Sequence, residues 1–192
     1  MTPQALIAFE EEVATLFEAK MIPGPIHLSG GNEEALINIF SNIRRDDWVF
    51  STWRNHYHAL LHGVPRDEIL EQIIFGRSMN FSSPKHKFFT SAIVGGICPP
   101  AVGVAAACKR RRVETRVHCF VGDMAACTGV FHEARSYAEG HNLPVMFYVE
   151  DNGMSTNTPT MKAWGEDLVS RVRRYPYTRK YPHTGVGKWI QF

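Results

Sequence analysis

Apolar residues near the start of the chain fall at Leu6, Phe9, Val13, Leu16 and Phe17, the spacing that lines one face of an α-helix. Pro3 stands where a helix tolerates it, so the pattern predicts an amphipathic helix within residues 1–22. MIPGPIHLSGGN is dense in turn formers and reads as a loop. Asn32 is placed to cap a second helix with the apolar stripe Leu36, Ile39, Phe40 and Ile43. A short apolar run from Trp48 to Phe50 predicts a strand. Short helices are expected in RNHYHALLHG and in PRDEILEQIIFG, where Pro65 lies near the start.

SMNFSSPKHKFFTS carries neither period and is expected to be a polar surface loop. AIVGGICPPAVGVAAACKRR passes from a bend into a helix of small residues, with Ala101, Gly103, Ala105 and Ala106 expected to let another element approach closely. The clearest unit follows: RVHCFV, a turn, GVFHEARSYAEG, a link through Pro144, and VMFYV. Strand, helix and strand in that order predict parallel strands joined by a right-handed crossover. The fold class is therefore α/β, a parallel sheet with helices on both faces. No repeat or low-complexity linker divides the chain, so residues 1–192 are expected to form one domain. Residues 160–192 form a tail of unclear role, with a helix suggested by Trp164, Leu168 and Val172 and a terminal strand by GVGKWIQF.

A hydrophobic share of 44% and a charged share of 21% exclude a disordered chain. The net charge of +2 names no partner. The basic run from Lys109 to Arg112 closes the small-residue helix, where the helix dipole favours cations, and no nucleic-acid partner is expected from it. No apolar stretch reaches membrane-spanning length, so no membrane partner is expected either. Cys98, Cys108, Cys119 and Cys127 make no C-x-x-C pair, which argues against zinc and suits buried thiols in a reducing compartment. Three consecutive glutamates near the start differ from a secretory or mitochondrial leader, so the expected location is cytoplasmic.

Parallel sheets collect ligands beyond the carboxyl ends of their strands. Asp123 stands just past the first strand of the βαβ unit, and Asn152 just past the second. One helix and one returning strand separate them, so both side chains are expected at one edge of the sheet. A carboxylate, an amide oxygen and a backbone carbonyl are hard oxygen donors suited to magnesium or calcium. A helix starting near Thr128 would turn free amides to the same edge, completing a diphosphate site. The same residues have plainer uses, Asp123 as a helix cap and Asn152-Gly153 as a turn. From the residues alone, both readings stand.

GDMAACTGVFHEARSYAEGHNLPVMFYVEDN resembles the thiamine-diphosphate motif, in which Gly-Asp-Gly is followed, after a helix and a strand, by Asn. HLSGGNEEA, STWRNHYHALLHGVPRDEIL and AIVGGICPPAVGVAAA agree in order, so His27 to Thr158 resembles the α subunit of two-subunit, decarboxylating 2-oxo-acid dehydrogenases acting on pyruvate, branched-chain 2-oxo acids or acetoin. The resemblance implies a thiamine-diphosphate-binding domain, short on its C-terminal side. It implies magnesium held by Asp123, Asn152 and the backbone carbonyl of Met154. Arg54 matches an arginine that contacts the diphosphate, and Trp53 takes the place of a tyrosine beside the cofactor. Ala92 and Val94 match positions whose backbones face the aminopyrimidine, and Gly122, Met124 and Ala125 would line the diphosphate cradle. His27 matches a histidine near the substrate and His56 the histidine two after the arginine, which makes these two the catalytic candidates.

The resemblance also implies a half-site. A separate β, pyrimidine-binding chain would supply the glutamate that activates the cofactor, in a hetero-oligomer with α–α contacts; whether an acyltransferase partner exists is left open. Four features depart from the pattern: Met124 replaces the third motif glycine, Cys127 and Thr128 replace Asn-Gln, Trp53 replaces tyrosine, and the sequence ends soon after Asn152, at Phe192. They leave a non-catalytic assembly or regulatory subunit of the same fold as an alternative, beside a transketolase-like transferase. A magnesium phosphohydrolase of the haloacid dehalogenase type needs Asp-x-Asp after an early strand, whereas Asp46-Asp47 precedes its strand.

Overall fold

The computed structural model describes residues 1–165 and 172–188. Helix α1 (Pro3–Glu18) starts behind Thr2, whose hydroxyl oxygen accepts the Ala5 N–H at 3.3 Å, and it buries Leu6, Phe9, Glu10, Val13 and Phe17. Helix α2 (Glu33–Phe40) starts behind Asn32, but the Asn32 side chain makes no capping bond. The Glu33 carboxylate instead accepts the Gly31 N–H, drawing the preceding loop onto the helix start. Strand β1 (Trp48–Ser51) and helices α3 (His56–His62) and α4 (Arg66–Ile74) follow as their apolar spacing predicts.

The stretch expected to be a surface loop is built into the sheet instead. It contains strand β2 (Ser82–Ser83), antiparallel to β3 (Phe88–Thr90), and Phe81 and Phe88 are both buried in the main apolar cluster. Strands of two and three residues are too short to display an alternation, so only the finished sheet reveals them. Helix α5 (Cys98–Arg111) is the helix of small residues, and its buried stripe is Cys98, Ala101, Val102, Ala105 and Cys108. Gly103 lies outside that stripe, exposed, with nothing within 4 Å of where a Cβ would stand.

The βαβ unit runs from β4 (Val117–Gly122) through α6 (Asp123–Ala126) and α7 (Gly129–Gly140) to β5 (Val145–Asp151). A small hairpin of β6 (Met154–Ser155) and β7 (Thr158–Pro159), helix α8 (Thr160–Trp164) and strand β8 (Arg173–Pro176) complete the described elements. Among the described residues six strands lie in the order β2-β3-β1-β4-β5-β8, and every neighbouring pair except β2-β3 is parallel. Alternate residues of the central strands feed two cores. Val117, Cys119, Val121, Phe147 and Val149 meet α5 and α7, whereas Val49, Phe120 and Tyr148 meet the α1–α4 side. Helices thus cover both faces of the sheet.

His118 is a core residue, with Nδ1 3.1 Å from the Tyr148 hydroxyl and Nε2 3.4 Å from Asp47. Asp47 is fully buried and also accepts the N–H groups of Arg44 and Arg116, so the acidic pair before β1 is half structural. All four cysteines are buried, and none forms a disulfide among the described residues. Among the described residues no helix is long and apolar enough to cross a membrane. In the tail, α8 ends at Trp164 and Leu168 lies outside the described residues, while Val172 packs beside the α7-side core. Residues 185–188 form turns and bends rather than a strand, and 189–192 lie outside the described residues.

Candidate functional site

Parallel β1, β4, β5 and β8 all end at the same rim, and the segments leaving them wall a cleft of about 690 Å³, open solvent included. Thr52, Trp53 and Arg54 come from the end of β1, Gly122 to Ala125 from the end of β4, and Glu150, Asn152 and Met154 from the end of β5. Ile93, Val94 and Gly95, ahead of α5, form another wall. Nine residues expected from the sequence line this cleft: Trp53, Arg54, Val94, Gly122, Asp123, Met124, Ala125, Asn152 and Met154.

Gly122 pairs in register with Glu150, so Asp123 and Asn152 leave neighbouring strands in the same direction. Asp123 begins the short helix α6 and is 4% exposed. Its carboxylate accepts a hydrogen bond from the Thr160 hydroxyl. Among the described residues no cation pairs with it, and burial pushes its pKa up, with the nearby Asp151 charge adding to the rise. The Asn152 oxygen accepts the Met154 N–H at 3.0 Å, and its amide donates to the Tyr177 hydroxyl at 3.1 Å. Among the described residues no group of three or more His, Cys, Asp or Glu is placed to hold a metal, so an ion here would draw on the Asn152 amide and backbone oxygens.

Arg54 is 7% exposed and donates to the carbonyls of Leu28 and His183. Burial lowers its pKa; the Tyr177, Glu10 and Glu150 groups oppose that fall, and the Arg179 charge adds to it. Among the described residues neither Arg54 nor Arg179 pairs with a carboxylate. Gly122 leaves the rim bare, since a Cβ there would meet nothing within 4 Å. Among the described residues, a buried carboxylate without a cation, two arginines without carboxylates and a bare glycine backbone together fit a metal-bound phosphorylated ligand. Met124 also lines the cleft, yet its sulfur accepts the Trp164 indole N–H at 2.7 Å.

The helix expected to aim its amides at this rim is split in two. Helix α6 touches the cleft, whereas α7 starts beyond it, with Thr128 and Val130 close against Gly95. Ala92 is not part of the cleft wall. His27 stands behind the wall, 6.0 Å from Trp53 and 4.9 Å from His183 between ring centroids. Its Nε2 lies 3.2 Å from the Thr184 hydroxyl. His56 lies deeper, 1% exposed, with Nδ1 3.2 Å from Glu10 and Nε2 2.9 Å from the Ser78 hydroxyl. Tyr177, Arg179 and His183 line the cleft without having been expected there. They are carried there by β8, which pairs in parallel with β5 and ends at the same rim.

The sequence model of the dehydrogenase E1 component matches residues 1–174. The chain belongs to this family. It is 33% identical over 173 residues to the α subunit of acetoin:2,6-dichlorophenolindophenol oxidoreductase of Bacillus subtilis, covering 84% of this chain and 52% of that one. It is 31% identical over 167 residues to the α subunit of the mitochondrial pyruvate dehydrogenase E1 component of Dictyostelium discoideum, covering 81% and 44%. The chain thus spans about half the length of the curated relatives it matches. A solved structure from Mycobacterium smegmatis, titled a "putative thiamin diphosphate-dependent enzyme", overlaps 68% of this chain and 22% of its own, at 21% identity and a TM-score of 0.47.

Proposed function

We propose that this chain acts as the α subunit of a thiamine-diphosphate- and magnesium-dependent 2-oxo-acid dehydrogenase, holding the metal and the cofactor diphosphate. One observation carries the reading: among the described residues, buried Asp123 has no cation and Arg54 and Arg179 have no carboxylate, yet all three face one cleft. The oxygens of Asp123, Asn152 and the Met154 carbonyl would hold magnesium, and the two arginines would take diphosphate oxygens. When bound, thiamine diphosphate supplies the carbanion-stabilising chemistry of decarboxylation. The protein's own part is electrostatic and geometric. Arg54 is aimed by two carbonyls, Trp53 packs edge-on against His27, and Tyr177 fixes the orientation of the Asn152 amide.

His27 is a hydrogen-bonding group beside the substrate position in this reading, and it works uncharged because burial and the Arg54 charge push its pKa down to about 3. His56, walled off by Glu10 and Ser78, belongs to the scaffold. The relatives named as α subunits support a separate β chain, which would complete the site in a hetero-oligomer with α–α contacts and pass product to an acyltransferase. Four buried thiols outside disulfides among the described residues suit a cytoplasmic setting. The test is calorimetric: thiamine diphosphate with magnesium is titrated into the chain alone and mixed with its β partner. Binding heat is expected in both and 2-oxo-acid decarboxylation only in the mixture. Absence of heat and of turnover in both overturns the reading.

A further inference from the structure

Arg54 can serve the cleft only if the carbonyl that anchors it is itself held. Leu28 supplies that carbonyl from the turn-rich loop between α1 and α2, flanked by His27 and Ser29, with Gly30 at φ +146° just beyond. Such a segment is held by whatever satisfies its buried amides. The Ser29 N–H, in a residue 1% exposed, donates to Glu10 Oε1 at 3.1 Å. Glu10 is 0% exposed on the inner face of α1, and the same oxygen lies 3.2 Å from His56 Nδ1. His56 is anchored in turn by Ser78 at 2.9 Å and follows Arg54 by two positions. Glu10 therefore grips both ends of the unit that carries the guanidinium: the loop that receives it and the helix start that bears it. Among the described residues Glu10 Oε2 has no hydrogen-bond partner, which is a costly arrangement to keep in a core.

We propose that Glu10, outside the cleft, is a positioning residue that aims Arg54 at the cofactor diphosphate by clamping the Ser29 amide and the His56 ring. The proposal rests on the reading of the cleft as a diphosphate site. What matters is reach, since Oε1 must meet two donors across the core. Glutamine keeps an oxygen at that distance without the charge. Aspartate keeps the charge and is one methylene short.

The test measures binding of inorganic pyrophosphate with magnesium to the full chain by calorimetry in wild type, Glu10→Gln, Glu10→Asp, Arg54→Ala and the Glu10→Asp/Arg54→Ala double variant. Folding is checked by circular dichroism, and exchange of the Ser29 amide is followed by NMR. Glu10→Gln is expected to bind like wild type, and Glu10→Asp about tenfold more weakly with faster Ser29 exchange. In the Arg54→Ala background the aspartate is expected to cause no further loss, because the two act in series. Tight binding by Glu10→Asp, or losses that multiply in the double variant, overturns the role of Glu10 alone. Should Glu10→Asp not fold, a Glu10→Gln variant weakened tenfold with Ser29 exchange unchanged overturns it, and wild-type-like binding with Ser29 still protected upholds it. Wild-type protein that does not bind, or an Arg54→Ala variant that binds normally, overturns the site reading and the proposal with it.

Discussion

The imidazoles of His27 and His183 meet edge to face, with ring centroids 4.9 Å apart, although one precedes α2 and the other follows β8. Arg54 lies against both, donating to the His183 carbonyl and to that of Leu28, next to His27. Burial, then the Arg54 charge, then His183 push the His27 pKa from 6.5 down to about 3. The unfolded chain thus binds a proton on His27 between about pH 6.5 and 3, whereas the folded chain does not. Stability is expected to fall as pH drops through that window, by up to ~1.4 kcal/mol per pH unit. In NMR titration the His27 ring should remain neutral at pH 5, and urea unfolding of His27→Gln should be less sensitive to pH over the same interval.

Arg54→Lys retains a positive charge but loses the planar fork that meets two carbonyls and faces a ligand at once. Binding of thiamine diphosphate with magnesium is expected to weaken about tenfold, the effect of losing ~1.4 kcal/mol. Calorimetry of the variant against wild type checks this. Unchanged affinity would remove Arg54 from the diphosphate site.

The proposed metal site carries a cost when no ion is bound. Asp123 is buried, and among the described residues its carboxylate meets no cation, only the Thr160 hydroxyl and the backbone N–H groups of Asp123 and Met124, so its charge destabilises the metal-free fold. Asp123→Asn is expected to unfold a few degrees higher than wild type at pH 7 without metal, a gain of ~1 kcal/mol. Magnesium with thiamine diphosphate should then raise the Tm of wild type and leave the variant where it was. A variant that melts lower without metal contradicts the argument.

The βαβ unit was readable because β4 and β5 alternate cleanly between two cores and each delivers a polar residue at its end. The E1 family membership, resting on motifs within that unit and upstream of it, was readable for the same reason. The contribution of the tail was not. Tyr177, Arg179 and His183 sit in an aromatic, basic stretch that looks solvated, and only the pairing of β8 with β5 carries them to the rim. His56 and Asp47 misled in the opposite sense: polar residues that look functional or exposed are buried because Glu10, Ser78, Arg44 and Arg116 satisfy them. Partner choice across the fold decides such cases, and a linear pattern does not contain it.

Met124 stands where the family motif has glycine, and its sulfur engages Trp164. A side chain turned towards α8 leaves room for phosphate, so restoring glycine gains little. Met124→Gly is expected to leave thiamine-diphosphate affinity within about threefold and to lower stability by ~1 kcal/mol through the loss of helix propensity and packing. A tenfold gain in affinity would mean instead that methionine obstructs the cradle.

Gly122 and Gly95 line the same cleft, yet they are glycine for different reasons. Gly122 has an ordinary φ of −73°, and a Cβ there meets nothing within 4 Å. Gly95 has φ +69°, and its Cβ would lie 2.5 Å from Val130 Cγ1. Gly122→Ala should therefore leave stability within ~0.5 kcal/mol and weaken cofactor binding, because the new methyl occupies ligand space rather than protein space. Gly95→Ala should cost more than ~1 kcal/mol, from a strained backbone and a contact that Val130 must yield. Urea unfolding and calorimetry on both variants separate the two effects. If Gly122→Ala binds thiamine diphosphate and magnesium as tightly as wild type, the bare backbone after β4 is not where the diphosphate lies.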